Sequence, residues 1–242
     1  MSSCSGYDTV VSALGRTALP HQTELIRLAE DSGTIERFYP SEWGTDIEYT
    51  EAASHEPIHQ DKLAVRRFLR EKTTRLQHTF IVTGPYADGL LAPFPPKPEI
   101  GSFQIKERKA WLLGPTGDER IAFTSRRDVG KLLVASLLHP AESCNRALKV
   151  CSFVTTYNAA LAEFERQTGA AWTKEYVTPD VLDNARAHLT EKEQGLAGTC
   201  MLRKLWIRGD TLYPEYDNKL IDGPETQNVE AVVAEAVAAA RS

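Results

Sequence analysis

Short β-branched and aromatic runs alternate along this chain with longer stretches whose apolar positions recur at helical spacing. Asp8 to Leu14 (DTVVSAL) is the first such run and reads as a buried strand ending at Gly15. From Pro20 to Asp31, the positions of Leu25, Ile26, Leu28 and Ala29 predict an amphipathic helix, with Gly33 as its stop. Ile35 to Tyr39 is a second strand, closed by Pro40. A strand, helix and strand with short connections predict a parallel pair built through a right-handed crossover. A polar stretch, Ser41 to Ser54, precedes a helix near Pro57 to Lys72 with Leu63, Val65, Phe68 and Leu69 as its stripe. Thr79 to Thr83 is a third buried strand, ending at Gly84-Pro85.

Beyond that point the pattern is less regular. Leu90 to Pro98 holds too many prolines for regular structure and reads as a loop. Trp111 to Leu113 and Ile121 to Phe123 flank a Gly-Pro-Thr-Gly turn, which predicts a hairpin. Ser125 and Asp128 open an apolar helix, Val129 to Leu138, in the manner of a capping box. Leu148 to Phe153 reads as one strand and Thr156 to Thr168 as a helix stopped by Gly169. Thr178-Pro179 is a helix start with Thr as N-cap and Pro in the first helical position. Val229 to Ala240 is a closing alanine-rich helix. The alternation places the chain in the α/β class.

Composition narrows the function classes. Of 242 residues, 42% are hydrophobic and 25% charged, as in ordinary soluble domains, and the formal net charge is −5. That balance argues against a nucleic-acid partner, which would need a basic excess to neutralise phosphates. Arg66, Arg67, Arg70 and Lys72 form a local basic cluster that at helical spacing reads as a solvated face. Four separated cysteines (Cys4, Cys144, Cys151, Cys200) read as reduced thiols, and no apolar stretch is long enough to span a bilayer. A cytoplasmic protein with no membrane partner is the expectation.

Candidate chemistry is thin by motif alone. His55-Glu56-Pro57-Ile58-His59 matches H-E-x-x-H, but zinc chemistry needs both imidazoles on one continuous helix. Pro57 opposes that, because inside a helix it removes a backbone bond at a cost of about 3 kcal/mol. It reads better as the first residue of a new helix, so no metal site is expected. There is no G-x-S-x-G elbow and no P-loop. Lys62 stands out. It lies on the helix after the Pro40-Ser41-Glu42-Trp43-Gly44 loop, which follows the carboxyl end of a parallel strand, where open α/β sheets bind ligands. A lone helical lysine is otherwise most often a solvated surface charge.

These residues resemble a known family. Arg37-Phe38-Tyr39-Pro40-Ser41-Glu42-Trp43-Gly44-x-Asp46 is similar to the RF-x-PSE-[FW]-G-x-D segment of isoflavone-reductase-like (NmrA-like) proteins, atypical members of the short-chain dehydrogenase superfamily. Lys62-x-x-Val65-Arg66-Arg67 resembles the family's lysine-bearing helix, and TFIVTGPY from Thr79 to Tyr86 the strand and loop after it. Phe123-Thr124 with Asp128-Val129-Gly130, and Gln167-Thr168-Gly169 with Trp172, extend the likeness over nearly the whole chain.

The resemblance implies a Rossmann-like parallel sheet flanked by helices, with a small C-terminal α/β part for substrate. Residues 1–90 would be the dinucleotide-binding part and 91–242 mostly the substrate part, interleaved in one domain. It implies an NADP (or NAD) cofactor and reduction of a small carbonyl, enone or aromatic metabolite, with Lys62 as the catalytic group beside the nicotinamide. Ser12, Ala13, Pro40, Ser41, Glu42 and Lys62 would line the cofactor. Trp43, Gly84, Pro85, Tyr86 and Phe94 would border the substrate. A non-catalytic, dinucleotide-sensing regulator acting through protein partners is the alternative the family offers, and an inactive truncated form is another.

The departure from the family plan is the GxxGxxG loop, which this sequence lacks, together with about one βαβαβ half of the fold, roughly 60–70 residues. The expectation is a form truncated at its N-terminus, in which the first strand stands at an exposed sheet edge. Such an edge invites aggregation or pairing with another chain, a homodimer included. An incompletely read gene, an alternative product, and a real short form that dimerises or binds without cofactor are the three explanations.

Overall fold

The first β-branched run forms β1 (Thr9–Val11), and the helical stretch after it begins with a 3-10 turn at Arg16–His21 before α1 (Gln22–Ser32). Gly33 closes α1 at φ 73°, a left-handed conformation that a glycine adopts without Cβ strain. β2 (Arg37–Tyr39) follows. Thr50 then caps α2 (Glu51–His55) by accepting from the Ala53 N–H, and a 3-10 turn opening on Pro57 leads into α3 (Gln60–Lys72) and β3 (Gln77–Val82). Next come α4 (Ala87–Leu90), β4 (Ser102–Gln104), β5 (Lys109–Leu113), β6 (Ile121–Phe123), α5 (Arg126–Leu138), α6 (Pro140–Ser143) and β7 (Arg146–Lys149). The chain ends with β8 (Phe153–Thr155), α7 (Tyr157–Thr168), β9 (Thr173–Val177), α8 (Pro179–Ala187), α9 (Ala197–Arg208) and α10 (Val229–Arg241).

The computed structural model describes residues 6–94 and 97–241. Cys4 and part of the proline-rich loop, Pro95 and Pro96, lie outside the described residues. Two units are formed, each discontinuous in sequence: residues 1–83, 131–150 and 215–224 make the first, and 84–130, 151–214 and 225–242 the second.

The first unit is a parallel sheet in the order β1-β2-β3-β7, with Val10 opposite Phe38, Phe38 opposite His78 and Ile81 opposite Leu148. Period-2 alternation divides its core. Phe38 and Phe80 face Ile26 and Ala29 of α1 and Val65 and Leu69 of α3, while Tyr39 and Ile81 face Leu132 and Ala135 of α5. Burying each of the larger apolar side chains contributes roughly 1.5–3 kcal/mol. Helices therefore cover both faces, as the α/β reading expects. β1 pairs with β2 alone among the described residues and occupies a sheet edge, with Val11 39% exposed.

The second unit holds a three-stranded sheet, β4-β5-β9, and a two-stranded one, β6-β8. Here the sequence reading needs correction. Trp111–Leu113 and Ile121–Phe123 do not form a hairpin. β5 pairs with β4 antiparallel and with β9 in parallel, whereas β6 pairs with β8. The intervening turn is still real: the Glu119 carboxylate accepts from the N–H groups of Thr116 and Gly117. Leu148 to Phe153 is likewise not one strand. β7 ends at Lys149 and β8 begins at Phe153, in different units. Ser125 caps α5 by accepting from the Asp128 N–H, and the Asp128 carboxylate accepts from Ser152 Oγ and the Gln227 N–H.

Candidate functional site

The carboxyl ends of parallel strands leave backbone groups that the sheet no longer pairs, and here the segments after β1 and β2 satisfy one another. The Ser12 N–H donates to Tyr39 O at 2.8 Å. Ser41 donates its N–H to Gln22 Oε1 and its hydroxyl to Leu14 O, each at 2.8 Å. The Trp43 indole N–H donates to Ser12 O at 2.8 Å, with its backbone held at φ 20°. Gly44 bridges to Val82 of β3, and the Thr83 N–H donates to Gly44 O. Ser12, Pro40, Ser41, Glu42 and Trp43 are thereby brought into one constellation at the end of the sheet. Ser12 Oγ is buried in it without a protein partner, and Ala13 is exposed.

Lys62 enters the same place from α3. Its ammonium donates to the Glu42 carbonyl oxygen. Burial pushes its pKa below the usual lysine range; the Glu42 charge opposes that shift, while Arg16 and Arg66 reinforce it. An ammonium so placed keeps two further N–H donors beyond the one given to Glu42. The two histidines of the H-E-x-x-H string lie in separate elements, as Pro57 dictates. His55 ends α2 and bonds Glu51 O, whereas buried His59 bonds Ala53 O at 2.7 Å.

The basic cluster on α3 is only in part a solvated face. Arg67 and Lys72 are exposed, but Arg66 is 1% exposed and forms the centre of an ion network. It donates to Glu42 Oε2 at 2.9 Å, Asp46 Oδ1 at 3.0 Å and Glu48 Oε2 at 2.9 Å, and its guanidinium lies 4.4 Å above the Phe80 ring. Arg70 grips Glu48 with both terminal nitrogens, each at 2.7 Å. The Glu42 side chain is thus committed to Arg66, and its backbone, not its carboxylate, meets Lys62. The sequence reading missed Arg66; the clue available to it was the pair of acids, Glu42 and Asp46, in the preceding apolar-flanked loop.

In the second unit, Gly84, Pro85 and Tyr86 form the turn into α4. Thr124 N–H donates to Pro85 O at 3.1 Å and Tyr86 bridges to Thr124. Gly84 has φ 62°, and a Cβ there would lie 2.9 Å from Ala122 O, so both conformation and space require glycine. Phe94 lies beneath Arg203 of α9, with the guanidinium 4.9 Å from the ring centre. Arg203 is also a residue the sequence did not single out.

The sequence profile of the NmrA-like family matches residues 2–199. Oxidoreductase aprR of Aspergillus flavus is 31% identical over 238 residues, covering 95% of this chain and 76% of that protein. The isoflavone reductase of Pisum sativum is 26% identical over 212 residues, covering 85% and 63%; an isoflavone reductase homolog of Zea mays is 27% identical over 191 residues, covering 75% and 58%. The chain thus spans under two thirds of the length of these two plant relatives. Among solved structures, one of pinoresinol-lariciresinol and phenylcoumaran benzylic ether reductases superposes with a TM-score of 0.78 at 20% identity, over 97% of this chain and 77% of that one. The leucoanthocyanidin reductase of Vitis vinifera gives 0.76 at 20% identity, over 96% and 79%. At that identity the likeness concerns the fold, and the fold and the profile agree: the chain belongs to the NmrA-like family.

Proposed function

We propose that this chain is an NAD(P)H-dependent reductase, or the greater part of one, that reduces a small carbonyl, enone or aromatic metabolite with Lys62 as its catalytic group. The observation that carries the reading is the half-buried Lys62 ammonium, held by the Glu42 carbonyl at the carboxyl end of a parallel sheet. Relatives named as oxidoreductases and isoflavone reductases support it, as do fold relatives whose structures contain NADPH or NADP+. The residues fit the nicotinamide end of such a cofactor: the buried hydroxyl of Ser12 lacks a protein partner, and Lys62 retains donors. When bound, the reduced nicotinamide would supply the hydride. Lys62 would hold a cofactor or substrate oxygen by hydrogen bond and stabilise the negative charge that develops on it. Ser41, Trp43 and the buried Arg66 network would keep the loop rigid around that lysine.

The test is calorimetric titration of the 242-residue chain with NADPH and NADH, followed by NAD(P)H oxidation with a panel of carbonyls and enones. Lys62→Ala is expected to lower kcat by about 10²-fold or more in an active preparation. Unchanged turnover in that variant would remove Lys62 from the mechanism. Binding without turnover on any substrate would favour a dinucleotide-sensing regulator instead.

A further inference from the structure

Lys62 and Arg66 stand one turn apart on α3 and reach into the same loop, yet they take different parts of one residue. Lys62 donates to the Glu42 carbonyl, and Arg66 Nη2 donates to the Glu42 carboxylate at 2.9 Å. An ammonium gains more from a carboxylate than from a carbonyl oxygen, because the full opposite charge adds Coulomb attraction to the hydrogen bond. An unassisted Lys62 would therefore be drawn to the Glu42 side chain. It is not, because a guanidinium already occupies that carboxylate and, through Nη1, is anchored to Asp46 and Glu48 as well.

We propose that Arg66 is a positioning residue for Lys62: by holding the Glu42 carboxylate it keeps the lysine out of an ion pair and leaves its ammonium free to reach a reacting oxygen. The inference rests on the reading of Lys62 as the catalytic group. The charged and titratable groups around Lys62 are Glu42 from the loop after β2, Arg16 from the turn after β1, His59 from the turn before α3, and Arg66 itself. Only Glu42 is acidic among them. Which cation owns its carboxylate therefore governs how tightly Lys62 is held and how readily it yields a proton.

The experiment reads Lys62 directly, without a cofactor. Trace acetylation with acetic anhydride across a pH series, quantified by mass spectrometry, gives the apparent pKa of Lys62. The wild type should show Lys62 titrating below the ordinary lysine value of 10.5. Arg66→Met should raise the Lys62 pKa by about one unit or more, as a released carboxylate captures it. The double variant Arg66→Met/Glu42→Gln should bring it back to near the wild-type value. Turnover should follow: about 10²-fold lost in kcat in the single variant, with at least about tenfold recovered in the double. A merely structural arginine predicts no such recovery, and an unchanged Lys62 titration in Arg66→Met overturns the proposal.

Should Arg66→Met fail to fold, Glu42→Gln alone decides. With Arg66 owning the carboxylate, Glu42 acts on Lys62 only through space, and the Lys62 pKa should fall by less than about one unit. A fall of about one unit or more would show that Lys62 itself was paired with Glu42, against the proposal. If no preparation turns over any substrate, the reductase reading fails, while the titrations still decide the role of Arg66.

Discussion

Two arginines show how little a residue type says without its partners. Arg66 and Arg203 are each 1% exposed, and both would read from sequence as solvated charges on helices. Arg66 sits among three carboxylates. Among the described residues Arg203 has none: it donates to Ile100 O at 2.6 Å, lies over Phe94, and leaves its Nε without a partner. Burial accordingly pushes the Arg203 pKa down, whereas Glu42 and Asp46 outweigh burial at Arg66 and push its pKa up. The same substitution should therefore have opposite signs. Arg66→Met strands buried carboxylates and should cost about 3–5 kcal/mol. Arg203→Met removes an uncompensated buried charge and should leave stability unchanged or raise it by about 1–3 kcal/mol, the lost bond to Ile100 included. Urea denaturation of the two variants separates these outcomes. A loss of more than about 1 kcal/mol in Arg203→Met would mean the guanidinium has a compensating partner that the protein alone does not supply.

At the level of elements, the parallel half of the fold was legible because each segment carried its own signal. β1, α1, β2, α3 and β3 are bounded by Gly15, Gly33, Pro40, Pro57 and Gly84-Pro85, and their apolar periods match the faces they bury. The loop after β2 carried its own motif, and the structure brings Lys62 of α3 against it at the Glu42 carbonyl. What failed was pairing over long sequence separation. A Gly-Pro-Thr-Gly turn predicts a reversal, yet β5 finds its parallel partner in β9, where Thr173, Lys174, Glu175 and Tyr176 are all exposed and give no apolar alternation. The run from Leu148 to Phe153 looked continuous because hydrophobicity does not record where a strand leaves its sheet. Connections hide their energetics in the same way. Glu30 of α1 accepts from the N–H groups of Thr74, Arg75 and Leu76 at 2.8–3.0 Å and so ties down the whole segment between α3 and β3. These bonds to backbone, with one from the Thr74 hydroxyl, outweigh burial and hold the Glu30 pKa down. Glu30→Gln removes the charge and one acceptor oxygen, and should cost about 2 kcal/mol, seen as a lower urea midpoint at unchanged m-value. No shift in the midpoint would show that the segment is held by its packing alone.

For the molecule as a whole, the network around Arg66 has a consequence for acid stability, because its two cations also face a histidine. His78, at the start of β3, stacks on Phe80 at 4.7 Å; burial first, then Arg70 and Arg66, push its pKa down to about 4, with Glu48 opposing. The folded state therefore keeps His78 neutral while the unfolded chain takes up a proton near its ordinary value of 6.5. Stability is fully present above pH 6.5 and is lost progressively as pH falls toward about 4, since there the unfolded state binds more protons. Two and a half units correspond to about 3 kcal/mol, which partial solvent exposure of the ring reduces to about 2. Glu48 acts in a different window. Burial would raise its pKa, but Arg70 and Arg66 bring it down to about 2, so its contribution holds above its ordinary 4.5 and is lost progressively as pH falls from there to about 2. Between about pH 7 and pH 4.5 the histidine term should therefore stand apart from this carboxylate. Urea titrations at those two pH values should show the wild type losing about 2 kcal/mol more than His78→Gln, which cannot titrate. Equal losses in both proteins would mean that His78 binds its proton as readily when folded as when unfolded, and that the two arginines beside it are screened by their carboxylates.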